Sequence, residues 1–557
     1  MLGTQTRIYS GLTPAFSDPA DWTLARVLRA RAAEQPHAVF LDVPEERRRF
    51  SYADMLAQAE TVAGTFARAG AQSGDRVLLM AANSSQFIRS WFGTAFGGLV
   101  EVPINTAYTG DFLIHQARTV GARWAVIDDT FAERFAAVAN DLTTIERFWV
   151  IDNGRLDAAL ATLRERGWTA EAWEALESGP RLQQPAPEPR SLASIFFTSG
   201  TTGPSKGVAM PHAQMYFFGQ EVVSLTRLTR EDTYLTVTPL FHGNAQFMAA
   251  YPALIAGAGL VVRPRFSASR WIDQVREGGV TVTNFLGVMM DFVWKQPHRP
   301  DDGDNRLRCI FAAPTASSIL QDFKQRYGIE AFVEVFGLTE TSAPILSPYG
   351  EDRPAGAAGL QAADWFDIRL VDPETDEEVP TGQIGELVVR PKRPWTCSLG
   401  YYGMPERTVE AWRNLWFHTG DALRRDEAGW YYFVDRYKDA LRRRGENISS
   451  YEVEQVLLAH PDVLECAVVG VKADIEAGED EVMAVIVPSG ASGASGVADA
   501  HGLWDWCEQR MPAFAIPRFV RFVDALPKTP SEKIQKGVLR GEGITAETWD
   551  RTAVAVR

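Results

Sequence analysis

Alternation between helical patterns and short apolar runs constrains the fold of this chain more than any other feature. The alternation extends to about residue 430 and includes the strand-like runs Arg76-Val77-Leu78-Leu79-Met80 and Trp124-Ala125-Val126-Ile127. Strands that alternate with helices usually form parallel sheets, because each crossover connection lays a helix on a face of the sheet. The sequence therefore predicts a layered α/β architecture.

The length of the chain predicts more than one domain. Its 557 residues exceed what one hydrophobic core usually supports. The pattern changes at the charged stretch VDRYKDALRRRGENISS, after which we expect a helix at 451–459, strands at 465–471 and 481–487, and a loose loop, PSGASGASG. We predict a large domain over 1–434 and a small α+β domain over 435–557.

Composition narrows the functional class. The 71 acidic and 56 basic residues give a net charge of -15, which argues against a general nucleic-acid or anionic-membrane binder. The four cysteines show no C-x-x-C spacing, so neither a zinc site nor a disulfide framework is indicated. The longest apolar run, Phe247 to Val262, is broken by proline and glycine and favours a buried core segment over a membrane span. With no secretory signal visible in MLGTQTRIYSGLTPAF, we expect a cytoplasmic protein.

The sequence FTSGTTGPSKGV, from Phe197 to Val208, predicts an anion-binding loop. It follows an apolar run that reads as a buried strand, and it combines glycines, hydroxyls and Lys206. Glycines let backbone N–H groups approach a phosphate closely, and the lysine compensates its charge. Because Gly207 follows the lysine, the loop does not match the P-loop of nucleotide triphosphatases. A flexible surface turn is the alternative.

Two further stretches suit a nucleotide. In VFGLTET, Phe336 offers a ring for stacking on a purine, Gly337 a close backbone approach, Thr339 a hydroxyl and Glu340 a carboxylate for Mg²⁺. In WFHTGDA, a tight glycine-containing turn would present Asp421 to the hydroxyls of a ribose. Nucleotide recognition is their common theme.

Seven stretches in order resemble the adenylate-forming superfamily of acyl-CoA synthetases, peptide-synthetase adenylation domains and firefly-type luciferases. They are FTSGTTGPSKGV, PLFHGNAQ, FGLTET, GYYGMPERTVEAW, FHTGD, VDRYKDALRRRGENISSYEVE and LPKTPSEKIQK. The motifs are most similar to those of crotonobetaine/carnitine-CoA ligases. The resemblance implies two α/β sheet layers plus a distorted β-barrel, with a small mobile C-terminal domain. It also implies that an acid and ATP form an acyl adenylate and pyrophosphate, after which a thiol displaces AMP.

The resemblance implies a role for each matching residue. The β- and γ-phosphates, with Mg²⁺ on Glu340, would be held by the loop residues Ser199, Gly200, Thr201, Thr202, Gly203 and Lys206. The remaining nucleotide contacts would be Thr339 at the α-phosphate, Phe336, Gly337, Ala313 and Pro314 around adenine, and Asp421 and Arg436 at the ribose.

The C-terminal motifs imply a movable catalytic group. Lys533 matches the lysine that bridges the substrate carboxylate and the α-phosphate, although Glu532 stands where most members have glycine. Lys438 matches the hinge of the rotating domain, and Arg444 with Gly445 would border the tunnel for coenzyme A. An exposed, solvated lysine and a basic surface turn are the alternatives.

The sequence does not choose among several classes of acyl substrate. His242 resembles the residue that gates the acyl pocket, whose expected lining is mostly aromatic, small or apolar and comes from 241–246, 284–292, 311–317 and 341–344. Aryl, medium-chain and carnitine-like acids are rivals, since no evident pair of acids awaits a quaternary ammonium. We expect free coenzyme A as acceptor and a homodimer as one possible assembly. A stand-alone enzyme loading a carrier protein, a luciferase-type oxygenase and a non-catalytic nucleotide-binding regulator are the alternatives.

Overall fold

The computed structural model describes residues 7–198, 205–313, 319–436, 441–443, 446–448, 450–472, 481–489, 500–508, 510–511, 515–528 and 534–554. The chain divides into two compact units. The first takes in Met1–Ile368, Val388–His418 and Asp426–Tyr431, and the second Arg369–Leu387, Thr419–Arg425 and Tyr432–Arg557.

The strands, in chain order, are β1 (Val39–Val43), β2 (Arg48–Ser51), β3 (Arg76–Met80), β4 (Val100–Pro103), β5 (Trp124–Asp128), β6 (Arg147–Ile151), β7 (Thr169–Ala172), β8 (Leu192–Thr198), β9 (Lys206–Pro211), β10 (Thr233–Thr236), β11 (Gly259–Val262), β12 (Val282–Leu286), β13 (Cys309–Ala313), β14 (Ala331–Val333), β15 (Val335–Leu338), β16 (Ser342–Leu346), β17 (Ala357–Gln361), β18 (Phe366–Val371), β19 (Ile384–Pro391), β20 (Phe417–Arg425), β21 (Trp430–Arg436), β22 (Leu441–Arg443), β23 (Glu446–Ile448), β24 (Val463–Val471), β25 (Glu481–Pro488), β26 (Phe519–Phe522) and β27 (Trp549–Asp550).

The α-helices are α1 (Leu24–Glu34), α2 (Tyr52–Arg68), α3 (Ser85–Phe96), α4 (Gly110–Val120), α5 (Ala132–Ala137), α6 (Leu156–Glu165), α7 (His212–Thr226), α8 (Gly243–Ala245), α9 (Tyr251–Ala256), α10 (Trp271–Glu277), α11 (Gly287–Trp294), α12 (Leu320–Tyr327), α13 (Pro405–Ala411), α14 (Ser450–Leu458), α15 (Ala500–Glu508), α16 (Lys536–Glu542) and α17 (Arg551–Val554). A π-helical turn, Gln246–Ala250, joins α8 to α9.

Two seven-stranded sheets form the layers of the first unit. One has the order β7-β6-β5-β3-β4-β8-β9 and the other β14-β13-β12-β10-β11-β1-β2. All neighbouring strands run parallel except the terminal pairs β8–β9 and β1–β2. The predicted α/β layers are confirmed, because apolar strands such as Arg76–Met80 are buried between crossover helices.

A third region of the first unit is antiparallel. β15, β16 and β17 pair in that order. Across the described residues no sheet closes on itself, so an open antiparallel sheet stands where we expected a distorted barrel.

The second unit contains an α+β core. β24, β25, β26 and β27 form a sheet, with β25 and β26 parallel and the outer pairs antiparallel. Successive residues of β24 and β25 enter different apolar clusters on the two faces: Cys466 and Val468 pack with Trp504, whereas Ala467 and Val469 pack with Phe519. The predicted helix and two strands of this region are confirmed.

Burial accounts for two remaining sequence features. The apolar segment 247–262 supplies the π-turn, α9 and β11 and is almost wholly buried, as predicted. No helix in the described ranges is both long and apolar enough to cross a membrane. The four cysteines, Cys309, Cys397, Cys466 and Cys507, are all buried and free.

Candidate active site

The strands on either side of the predicted phosphate loop form an antiparallel hairpin. In it Phe197 lies opposite Gly207 and Thr198 opposite Lys206. Lys206 is the first residue of β9, so its side chain leaves the hairpin at the base of the loop. Residues 199–204 lie outside the described residues, and with them the predicted contacts Ser199, Gly200, Thr201, Thr202 and Gly203.

The segment 398–402 follows the outer edge of β9. The Tyr402 N–H donates to the Gly207 carbonyl oxygen at 2.7 Å. This pairing sets the ring of Tyr401 beside Lys206, whose Nζ lies 4.3 Å from the ring centroid. A lysine ammonium at this distance from an aromatic ring is attracted to the ring face.

Tyr401 also contacts the predicted metal ligand. Its hydroxyl donates to Glu340 Oε1 at 3.0 Å, and both residues are buried. Burial, reinforced by the neighbouring carboxylate of Glu340, raises the pKa of Tyr401 well above its ordinary value, so the hydroxyl stays protonated and keeps donating. The structure thus brings Lys206 and Glu340 together through one phenol, although 133 positions of sequence separate them.

The stretch Phe336–Glu340 is held by a tight hairpin between β15 and β16. A Cβ on Gly337 would lie 2.3 Å from the carbonyl oxygen of Ser342, so the close backbone approach predicted for this glycine is to its own hairpin. Ser342 adopts a positive φ of 60° to complete the turn. Gln214 on α7 then donates from Nε2 to the Thr339 carbonyl oxygen at 2.8 Å, which fixes the hairpin against the helix.

A histidine outside the predicted motifs holds the base of the loop. His115 on α4 places Nε2 2.7 Å from the carbonyl oxygen of Ser205, directly before Lys206. A carbonyl only accepts, so this ring nitrogen carries the proton. No motif singled out His115, since the contact arises from the packing of α4 beside the hairpin.

A buried acid joins the hairpin to the segment that carries His242. Glu101 on β4 accepts from Gln246 Nε2 at 2.8 Å, and Ser194 on β8 donates to the Glu101 carbonyl oxygen at 3.0 Å. Burial raises the pKa of Glu101 to about 8. The sequence signal for this residue is an acid between Val100 and Val102 in an apolar strand, outside every motif.

His242 itself is the N-cap residue directly before the short helix α8. Its carbonyl oxygen accepts from the N–H of Ala245, and its ring lies 4.7 Å from the ring of Phe241, centroid to centroid. It is half-buried and belongs to the segment after β10. Its predicted gating role stays a prediction.

Within the second unit, Asp421 is buried inside β20. The sequence predicted a tight turn here, but the chain continues as a strand, bent at Gly420, whose φ is +72°. The Gly420 N–H donates to Glu386 Oε1 at 2.9 Å and the Asp421 N–H to Thr419 Oγ1 at 3.1 Å. These two hydrogen bonds fix the backbone at Gly420 and Asp421, from which the buried Asp421 side chain extends.

Two of the lysines in LPKTPSEKIQK are engaged in ion pairs. Lys528 binds Glu465 at 2.8 Å and Lys536 binds Glu454 at 2.8 Å, and residues 528 and 534 form an antiparallel bridge. The remaining predicted residues of the C-terminal motifs and adenine turn lie outside the described residues, in whole or as side chains: Ala313, Pro314, Arg436, Lys438, Arg444, Gly445, Glu532 and Lys533.

Comparison with known proteins decides the family. The model of the AMP-binding enzyme family matches residues 28–402, and the model of its C-terminal domain matches 452–533. The chain belongs to the AMP-binding enzyme family. Curated relatives of this AMP-binding enzyme include crotonobetaine/carnitine–CoA ligases of Salmonella enteritidis and Salmonella typhimurium, each 30% identical over 88% of this chain and 93% of the relative.

Solved structures of similar fold are also known. An anthranilate–CoA ligase in complex with anthranoyl-AMP superposes with a TM-score of 0.83 at 24% identity, over 95% of this chain and 99% of the other. ATP-bound MatB of Rhodopseudomonas palustris gives 0.79 at 26%, over 94% and 98%. Family and relatives confirm the predicted reaction class, the ATP-dependent, AMP-forming ligation of a carboxylic acid to coenzyme A.

Proposed function

We propose that this enzyme activates its acid with Mg-ATP on the surface formed by Lys206, Tyr401 and Glu340, and transfers the acyl group to free coenzyme A. The observation that carries the proposal is the shared contact of Lys206 and Glu340 with Tyr401. Adenylation brings a carboxylate to a triphosphate, so the site needs fixed positive charge where negative charge develops. Lys206 supplies that charge from the end of a doubly paired strand.

Glu340 fits the role of the Mg²⁺ ligand. Its Oε1 accepts from Tyr401, and a magnesium ion commonly takes one or two carboxylates together with substrate phosphates. When bound, the ion would neutralise charge on the phosphates. Tyr401 orients the carboxylate, because its hydroxyl can donate in one direction only.

The other nucleotide contacts follow the family motifs. Ser199, Gly200, Thr201, Thr202 and Gly203 would surround the β- and γ-phosphates. Adenine and its α-phosphate would meet Ala313, Pro314, Phe336, Gly337 and Thr339, and the ribose would meet Asp421 and Arg436. The burial of Asp421, on a backbone held by its own N–H bond to Thr419, supports its assignment.

We propose a movable domain over 435–557 for the second half-reaction. Lys533 would bridge carboxylate and α-phosphate, Lys438 would serve as the hinge, and Arg444 with Gly445 would border the pantetheine path. The ion pairs of Lys528 and Lys536 support the choice of lysine, since these neighbours on the same motif already hold carboxylates.

The acyl substrate is a small carboxylic acid, with His242 beside its pocket. Relatives named for crotonobetaine and carnitine keep those acids among the candidates. Buried free thiols fit a reducing, cytoplasmic location, and assembly as a homodimer remains part of the proposal. A carrier protein as acceptor, or a non-catalytic nucleotide-binding role, is the alternative.

Acid-dependent exchange between ATP and pyrophosphate tests adenylation. The proposal expects exchange with at least one member of a broad acid panel, and thioester formation on coenzyme A in preference to a phosphopantetheinylated carrier protein. Binding of Mg-ATP without exchange for any acid would favour the regulator. Thioester formation on the carrier alone would favour the carrier-loading enzyme.

A further inference from the structure

Three parallel strands of one sheet end beside the proposed acyl pocket. β10, β12 and β13 run parallel as neighbours. Ligands of α/β sheets bind beyond the carboxyl ends of such strands. Thr238 follows β10, Asn284 is the central residue of β12, and Asn244 lies two residues beyond His242.

These three side chains form a neutral hydrogen-bonded cluster. Asn284 Nδ2 donates to Thr238 Oγ1 at 3.1 Å and also to Asn244 Oδ1. Thr238 Oγ1 donates to Asn244 Oδ1 at 3.1 Å. Thr238 and Asn284 are buried, whereas Asn244 is half-buried. The sequence suggested a mostly apolar pocket, so this cluster is a specific departure from it.

The cluster leaves hydrogen-bonding capacity unused. Asn284 Oδ1 is buried and accepts no hydrogen bond in the described structure. Among the described residues, Asn244 Nδ2 reaches only the thioether sulfur of Met248, a weak acceptor, at 3.6 Å. The opposite assignment, with oxygen and nitrogen exchanged in both Asn284 and Asn244, keeps the hydrogen bond between the two side chains. It also leaves one amide donor and one amide acceptor of the pair without a strong partner. A buried amide in this condition is normally satisfied by a water or a ligand.

On the basis of the function proposed above, we propose that the activated acid carries a neutral group that both donates and accepts hydrogen bonds, a hydroxyl or a carboxamide, and that Asn284 and Asn244 bind it. An acid that presents a methyl group or the edge of an aryl ring would leave the free amide atoms of Asn284 and Asn244 without a partner. A quaternary ammonium has no N–H to donate to the Asn284 oxygen. Burial raises the pKa of Asp291 in the neighbouring helix α11, and the charge of Lys295, just after that helix, only partly offsets the effect.

Matched acids test this inference. Phenylpropanoate would be compared with its para-hydroxy derivative, and hexanoate with its terminal hydroxy and carboxamide derivatives, by kcat/KM in ATP–pyrophosphate exchange. A site that hydrogen-bonds a substrate hydroxyl discriminates strongly against the analogue that lacks it, so we expect at least about 10²-fold preference within a pair. Equal or inverted preference, with exchange observed, would overturn the inference and leave the proposed function standing. Absence of exchange for every acid would remove both.

Asn284→Leu gives the matched variant. We expect its preference within a pair to fall toward one, because kcat/KM for the polar acid should fall by a larger factor than kcat/KM for the apolar acid. Thr283→Val is the control: Thr283 is the adjacent residue of β12, its hydroxyl donates to the Leu235 carbonyl oxygen, and it takes no part in the cluster. An equal loss for both members of a pair in Asn284→Leu would show a merely structural role and contradict the proposal. The discrimination shown by the unmodified protein is a measurement that does not depend on the variant folding.

Discussion

The nucleotide side and the acyl side of the proposed site use different kinds of side chain and different kinds of support. On the nucleotide side, full charges are held by backbone pairing: Lys206 extends from a strand paired on both edges, and Glu340 is oriented by Tyr401. On the acyl side, the neutral cluster of Thr238, Asn244 and Asn284 holds itself together by side-chain hydrogen bonds.

The difference follows from what each side must recognise. Phosphates are the same in every turnover, so rigid charges at fixed positions suffice. Acids differ in one or two polar atoms, and unpaired amides distinguish such atoms more sharply than an apolar wall does. Changes on the nucleotide side should therefore affect all acids alike, and changes on the acyl side should alter the ratio between acids.

Replacing the lysine should have the largest effect. Lys206→Gln should lower kcat/KM for acid-dependent exchange by about 10²- to 10³-fold, because a preorganised charge at the phosphates is lost. The factor should be the same for both members of each acid pair, measured by exchange kinetics. Arg230→Gln removes one positive charge at an exposed position and serves as the control. A change in acid preference in Lys206→Gln would break the separation of the two sides.

The residue that joins the two sides should titrate. Glu101 has its pKa raised by burial from 4.5 to about 8 in the folded protein. Between these pH values the unfolded chain has lost a proton that the folded protein retains, so the contribution of Glu101 to the free energy of unfolding falls as pH rises and levels off above about 8. Glu101→Gln does not titrate. The stability of this variant relative to the unmodified protein should rise across that window by roughly 1–3 kcal/mol, measured by urea unfolding. A pH-independent difference would contradict a neutral Glu101.

Removal of the Tyr401 hydroxyl should test how the nucleotide side orients Glu340. Tyr401→Phe keeps the ring against Lys206 but removes the donor to Glu340, at a cost of about 1–2 kcal/mol, or roughly tenfold in the KM for Mg-ATP. Because the hydroxyl acts through Glu340, the loss should shrink when Glu340→Gln is already present, as a double-mutant cycle would measure. Fully additive losses would show that Tyr401 acts without the carboxylate.

The smallest effect is expected at the base of the loop. His115→Ala removes the donor to the Ser205 carbonyl and should raise the KM for ATP by about three- to tenfold, equivalent to one hydrogen bond. His115→Gln, which offers an N–H of similar reach, should recover part of the loss. Steady-state kinetics with a saturating acid would measure both. If His115→Gln falls as far as His115→Ala, the hydrogen bond is not the cause.

Local pattern was enough to predict much of the fold. The run Arg76–Met80 is a strand with those bounds, because five apolar or amphipathic residues between polar turns have few other ways to bury themselves. The layered α/β architecture and the small α+β unit followed from the same local patterns, whereas the number of layers, two, was implied by the family resemblance. The turn at Gly420 was wrong: a single glycine can bend a paired strand without ending it.

The site was predictable where a motif carries its own chemistry. Lys206 and Glu340 were identified from charge and glycine spacing. Tyr401 was not, although it lies in the quoted stretch GYYGMPERTVEAW, because a tyrosine there gives no sign that it reaches two other motifs. Asn284 resembled a strand residue among apolar neighbours. Contacts of this kind depend on register between distant strands, which sequence periodicity does not supply.

The burial of the cysteines makes the transfer step easy to observe. Desolvation raises the pKa of Cys309 to about 12 and that of Cys507 to about 11, and it raises the pKa values of Cys397 and Cys466 as well. Only an exposed thiolate attacks a disulfide reagent, so the four buried cysteines of the native protein should contribute almost no background in an assay with a chromogenic disulfide. Loss of the free thiol of coenzyme A can then be followed by the colour that the reagent produces. A sudden rise in that colour would report denaturation, because unfolding exposes the cysteines of the protein.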